Sequence, residues 1–198
     1  MVRTYKDKEL LDRVKSLDSF TEFPEGYWIL AVRSIKDIPN KFDDKFYIFK
    51  GEEFVRVLTG TTNPGLSVLK GGWKKYNKKG AAVVKSDEWY YDIYKYGLHR
   101  RKMPALRQRK EKDILYYRDG NNDSKSNESG KVYSGVIYTN FHGANYNQNS
   151  AKIKSVINGW SAGCFVANNT QEYYSTIDMF RESEQKYFTI CLIKEFKK

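Results

Sequence analysis

Cysteine is scarce in this 198-residue chain, with two residues, and so are histidine, with two, and proline, with four. Two cysteines and two histidines without a CxxC pair do not supply a structural zinc site, and they cannot build a disulfide-dense framework. A single Cys164–Cys191 bridge stays open. Cys191, however, lies in the alternating run YFTICLI, which reads as a terminal core strand holding an inert sulfur. Long hydrophobic runs are missing too. Nothing approaches the roughly 20 apolar residues of a membrane span, and MVRTYKDKELLDRV lacks the apolar stretch of a signal peptide, so neither a span nor an export signal is expected. Acid is in deficit: 24 Asp plus Glu stand against 35 Lys plus Arg, a formal charge of +11. Such a field attracts polyanions, among them nucleic acid, teichoic acid, lipopolysaccharide and the carboxylates of peptidoglycan. Only HRRK (99–102) and RQRKEK (107–112) are dense in base, which reads more simply as solvated surface than as a nucleic-acid arm.

Aromatics are abundant, at 16% of the chain within 40% hydrophobic residues, and this places the sequence among globular proteins. Aromatic and β-branched residues suit half-buried pleated surfaces, so strands should outnumber helices. KELLDRVKSL sets Leu10, Leu11, Val14 and Leu17 on one helical face, predicting an amphipathic helix over about residues 6–18. YWILAVRS (27–34) reads as a strand, and KFYIFKGEEFVRVLTG as two strands joined at Lys50 and Gly51. TTNPG (61–65) is a turn by its Pro and Gly. GAAVVKSDEWYYDIYKYGLH, DILYYRD and VYSGVIYTNF supply further strands, while DGNNDSKSNESGK (119–131) is a polar loop without apolar anchors. In that loop Asp119, Asn121 and Asp123 have the spacing that opens a calcium loop. Ser124 and Gly130 replace the Gly and Glu such a loop needs, so no metal is expected. After Cys164, one of Asn168, Asn169 or Thr170 is placed to cap a helix whose apolar face carries Tyr173, Tyr174, Ile177 and Phe180.

Cys164 sits in NGWSAGCFVAN between small residues and an apolar run. A nucleophilic cysteine needs a thiolate, a base or cation beside it, and donors aimed at the oxyanion it creates. His142, in TNFHGAN, follows an apolar run and sits next to Gly143, as a titratable strand-end base would. Taken alone, the pair describes a core sulfur and a surface imidazole equally well.

In order along the chain stand TTNPG (61–65), GLH (97–99), ALRQ (105–108), YRD (117–119), FHGAN (141–145) and WSAGC (160–164). Together these motifs resemble the L,D-transpeptidase (YkuD-like) catalytic family, in a divergent WSAGC branch found in bacteria and phages, over about residues 42–193. The resemblance implies Cys164 as nucleophile, His142 as its base and the Gly143 carbonyl as the acceptor that orients the imidazole. It also implies that Ser161 braces the loop while the Gly163 and Cys164 amides form the oxyanion hole. His99, Arg118, Gln108 and Trp160 are candidate substrate-binding residues. Each has a plainer reading, as surface groups for the first three and as core filler for Trp160. Two departures stand out: Ala162 occupies a position where the family usually has His, and Val166 one where it often has Arg.

The expected fold is α+β, mainly an antiparallel sheet or sandwich, with an N-terminal helix and a helix after the Cys loop. Residues 1–41 would pack a helix and a strand on a catalytic unit of residues 42–198, in a single globular whole. The expected activity is a cysteine-dependent transpeptidase or hydrolase of peptidoglycan stem peptides, acting through a thioester and needing no cofactor. The alternative is a non-catalytic cell-wall-binding or phage virion structural protein of the same fold. A nucleic-acid-binding module, suggested only by charge, ranks third. The expected partner is peptidoglycan or another anionic wall polymer. Such a protein would be made in the cytoplasm and meet the wall after lysis or as part of a phage particle.

Overall fold

The computed structural model describes residues 1–197. Along the chain run α1 (Asp7–Lys15), β1 (Tyr27–Arg33), β2 (Asp44–Lys50), β3 (Glu53–Thr61), the short α2 (Leu66–Leu69) and a 3-10 turn (Gly72–Lys75). Then come β4 (Ala81–Val84), β5 (Glu88–His99), β6 (Met103–Gln108), β7 (Ile114–Asp119), β8 (Tyr133–Gly135) and β9 (Phe141–Gly143). A second 3-10 turn (Asn158–Trp160), β10 (Phe165–Ala167), α3 (Thr170–Glu182) and β11 (Phe188–Lys194) complete the order. The expected α+β architecture dominated by antiparallel strands is present. What reads in sequence as a sheet or sandwich is here a closed eight-stranded barrel, β1-β11-β5-β6-β9-β10-β3-β2, with a separate sheet β4-β7-β8. Two barrel pairings are parallel, β1 with β11 and β9 with β10. β1, from the N-terminal 41 residues, is thus a stave of the barrel, bonded on both sides, not a layer laid upon it.

Strand alternation divides the apolar residues between two cores. Ile29, Ala31, Phe46, Ile48, Ile190 and Leu192 point into the barrel, whose interior an eight-stranded ring lets side chains fill. Trp28, Leu30, Val32, Phe49, Cys191 and Ile193 point outward and are covered by Leu10 and Val14 of α1. Cys191 is fully buried, and both cysteines are free thiols. α3 starts at Asn169, whose side chain accepts from the Gln171 and Glu172 amides, and its Tyr173, Ile177 and Phe180 join the inner core. Gly143 makes this docking possible, because a Cβ there would lie 2.6 Å from the Tyr173 ring.

The inward series of β1 and β2 ends in charge. Arg33 is buried and donates to Thr62 Oγ1 (2.8 Å) and to the Thr62 and Val84 carbonyls, and it pairs with Glu128. Glu128 also accepts from the Ser86 amide and hydroxyl. The polar loop over residues 119–131 is therefore anchored after all, by a buried carboxylate and not by an apolar side chain. Beside Arg33, Asp44 accepts from the Ser34 amide (2.8 Å) and from the Thr62 amide (2.6 Å) and hydroxyl (2.7 Å). Burial, reinforced by neighbouring Asp43, outweighs those donors and raises its carboxyl to about 6. The native state then holds a proton that an unfolded aspartate releases near pH 4, so this group's contribution to stability is full below about pH 4 and lost by about pH 6. The loss should be about 2–3 kcal/mol. Urea unfolding of wild type and Asp44→Asn at pH 4 and pH 7 checks it: the stability gap between the two should shrink or reverse at pH 7. A gap independent of pH would mean that Asp44 ionises at its ordinary value.

Candidate functional site

The parallel register of β9 and β10 aligns Phe141 with Phe165 and His142 with Val166. Phe141 and Phe165 face the barrel core, so alternation turns His142 and Val166 to the outer face, and Cys164 packs in the same outer cluster as Val166. The base candidate thus lies on β9 and the nucleophile candidate in the loop immediately before β10, on one face. The expected strand through VIYTNF is interrupted: residues 136–140 are irregular and Tyr138 sits at φ 55°. The reason lies in Gln108, whose Oε1 accepts from the Ile137 and Thr139 amides (both 3.1 Å) and takes the place of a partner strand.

Gln108 is accordingly no substrate clamp. It is buried, and its amide nitrogen donates to the Lys112 and Gly135 carbonyls, so both ends of the side chain are consumed inside the protein. Five of the other sequence candidates converge, while His142, Gly143 and Ser161 do not line the same cavity. His99, Arg118, Trp160, Gly163 and Cys164 line one cavity of about 650 Å³ between the barrel face and the small sheet. Arg118 lies over the Tyr116 ring (4.7 Å) and donates to the Gly80 carbonyl (3.3 Å). Trp160 is half-buried, packs against Tyr146 and against two clusters of the core, and also forms cavity wall. Arg100 and Arg107, which sequence reading leaves as solvated surface, line this cavity together with Lys75, and no Asp or Glu does. A groove of about 690 Å³ along α3 is shallower and holds no cysteine or histidine.

The Cys loop is held from three sides. Ser161 Oγ donates to the Cys164 carbonyl (2.8 Å) and accepts from the Gly163 amide (3.2 Å). Thr139 Oγ1 donates to the Gly163 carbonyl (2.6 Å). From the TTNPG turn, the Gly65 amide donates to the Ser161 carbonyl (2.9 Å), and a Cβ on Gly65 would collide with the Asn158 carbonyl at 1.8 Å. Gly163 lies at φ +122°, with its α-carbon packed on the Ala82 carbonyl, a position only glycine fills without strain. Of the two amides that the resemblance assigns to an oxyanion hole, the Gly163 N–H is already given to Ser161. The Cys164 N–H has no acceptor among the described residues.

His142 is fully buried, its Nδ1 2.8 Å from the Gly143 carbonyl. A carbonyl only accepts, so Nδ1 carries the proton and Nε2 keeps its lone pair; Nε2 is buried and has no partner. Burial, the stacked His99 ring (centroids 4.0 Å apart) and Arg100 depress its pKa to about 3. The Cys164 thiol is not the activated group that sequence reading expects. Burial raises its pKa against the lowering influence of the Asn140 backbone and Arg100, and Sγ points to the Tyr138 carbonyl at 3.8 Å. In the polar loop, Asp119 and Asp123 accept from amides of Asn121, Lys125 and Asn127, so the loop's carboxylates are engaged by its own backbone. No protein-family model, no curated protein and no solved structure matches this chain.

Proposed function

We propose that the chain is a cysteine acyltransferase of the L,D-transpeptidase kind, acting on peptidoglycan stem peptides, with Cys164 as nucleophile and His142 as base. One observation carries the reading: a thiol on the wall of a cationic cavity shares a barrel face with an imidazole whose only partnerless nitrogen is a fixed lone pair. The thiol gives its proton to His142 Nε2 as sulfur bonds to the acyl carbon and the carbonyl π pair moves to oxygen. When the tetrahedral species collapses to a thioester, the leaving amine takes the proton from His142. A second amine, in transpeptidation, or water, in hydrolysis, then resolves the thioester. Lys75, Arg100, Arg107 and Arg118, unopposed by acid, suit a peptide bearing free carboxylates. Such a protein meets its substrate at the bacterial wall, after lysis or as part of a phage particle.

The same site also supports a second reading, a non-catalytic wall-binding or virion structural protein. The raised thiol pKa, the thiol turned to Tyr138 and the Gly163 amide spent on Ser161 favour it. Mass spectrometry of muropeptides incubated with wild type and Cys164→Ala separates the two. Cross-linked or trimmed products that vanish in the variant support the enzyme, whereas identical spectra with retained wall binding support the binder.

A further inference from the structure

Hydrogen-bond direction fixes the tautomer of both histidines. The Gln108 backbone N–H can only donate, and it does so to Asn140 Oδ1 (3.1 Å). The Asn140 side-chain nitrogen therefore faces His99 Nδ1, at 3.0 Å. An amide nitrogen has only hydrogens to offer, so His99 Nδ1 accepts, and the neutral ring bears its proton on Nε2. His142 is the mirror case, protonated on Nδ1 with Nε2 bare. The two rings stack at 4.0 Å and 20°. His99 Nε2 has no partner among the described residues, and its ring lines the cavity that holds Cys164. The groups facing His99 there are Arg100 and Arg107, with Lys75 and Arg118 across the cavity. No carboxylate is present to hold the ring as a cation or to accept its proton.

We infer that His99 is the neutral hydrogen-bond donor of this site, presenting Nε2–H to the acyl oxygen as negative charge develops there, beside the Cys164 amide and in place of the Gly163 amide that Ser161 has taken. The inference rests on the acyl-transfer reading. It makes the stacked pair a division of labour: His142 removes the proton from sulfur and His99 stabilises the oxyanion, with Asn140 and Gln108 as positioning residues that set the donor. A donor fixed before the reaction reorganises little as charge builds, which is why removing one such group typically costs about 10²-fold or more in rate.

Two measurements test this. Two-bond nitrogen–proton correlation spectra of histidine-labelled wild type should show Nε2–H on one ring and Nδ1–H on the other, with His99→Gln removing the former. Two Nδ1–H rings would overturn the inference whatever the activity. Acylation of Cys164 by p-nitrophenyl acetate, followed as p-nitrophenolate release, should fall about 10²-fold in His99→Ala and recover largely in His99→Gln, whose side-chain amide restores an N–H. Alkylation by iodoacetamide creates no oxyanion and should change by less than about threefold. Equal acylation in His99→Ala and wild type overturns the donor role while leaving acyl transfer standing. A parallel loss of acylation and alkylation also overturns it, because His99 would then only shape access to the thiol. If wild type is alkylated but never acylated, the acyl-transfer reading and the inference fall together. Should His99→Ala not fold, the wild-type tautomers and the His99→Gln rates decide.

Discussion

His142→Ala is expected to lower muropeptide turnover by about 10²–10⁴-fold, the usual cost of losing a general base. The thiol of Cys164 is held protonated by burial, and its S–H points to a carbonyl that cannot take the proton away. In the acyl-transfer reading, His142 Nε2, a buried lone pair with no partner, is the group that takes the proton from sulfur, and its loss leaves the thiol without that base. The ring is fully buried, and truncation to Ala also opens a cavity. His142→Gln, which refills the volume without restoring a base, should melt closer to wild type and remain as inactive. The pH profile adds a second signature. With the imidazole depressed to about 3, the base stays neutral throughout the working range, so turnover should show no acid limb near pH 6.5 and should rise as the thiol approaches ionisation. A His142→Ala enzyme with near-normal rates, or an acid limb at pH 6–7 that the variant loses, would show the assignment of the base to be wrong.

The second large effect is structural. Glu128→Ala should destabilise the fold by about 3–5 kcal/mol, because it strands Arg33 as a buried, uncompensated cation at the barrel end. Burial alone would raise the Glu128 carboxyl. Arg33, the Ser86 amide and hydroxyl, and Lys194 overcome it and hold the group below the ordinary value, a measure of how fully the charge is used. Arg33→Met combined with Glu128→Leu should restore only part of the loss, since the Thr62 and Val84 carbonyls lose their donor. Chemical denaturation of wild type and the two variants measures this. A loss under about 1 kcal/mol for Glu128→Ala would reduce the pair to a surface-like contact.

Local pattern carried much of the fold. The helical spacing of Leu10 and Val14, the β2–β3 hairpin, the Asn-capped α3 and the buried Cys191 strand all follow from periods of 3.6 and 2 and from capping chemistry. Barrel closure does not, since β1 pairs in parallel with β11 from the opposite end of the chain, and no periodicity encodes a partner so remote. Arg33, Asp44 and Glu128 look in sequence like residues at strand ends and in a polar loop. Only the inward turn of the strands makes them a buried network. Gln108 misled for a similar reason: a glutamine beside basic residues suggests a surface clamp, while its amide is consumed in tying down Ile137 and Thr139. At the site, the resemblance carried by the motifs pointed to Cys164, His142 and Gly143, but the loss of the Gly163 amide to Ser161 and the opposed histidine tautomers depend on atoms that motifs do not describe.

The parallel pairing of β9 with β10 has a consequence for variation. What sets His142 beside the end of the Cys loop is the lateral step between two hydrogen-bonded strands, with Cys164 immediately before the second, not the chain that runs from one to the other. That chain leaves the sheet after Gly143 and passes through an exposed turn at residues 147–149, returning through the bridge of Ile153 to Asn169 before it reaches the Cys loop. Residues added at the turn would lengthen the detour without changing the address of either end. The exposed turn between them is therefore free to diverge in length and composition while His142 and Cys164 keep their places, which makes it a position where this scaffold can vary without moving either side chain.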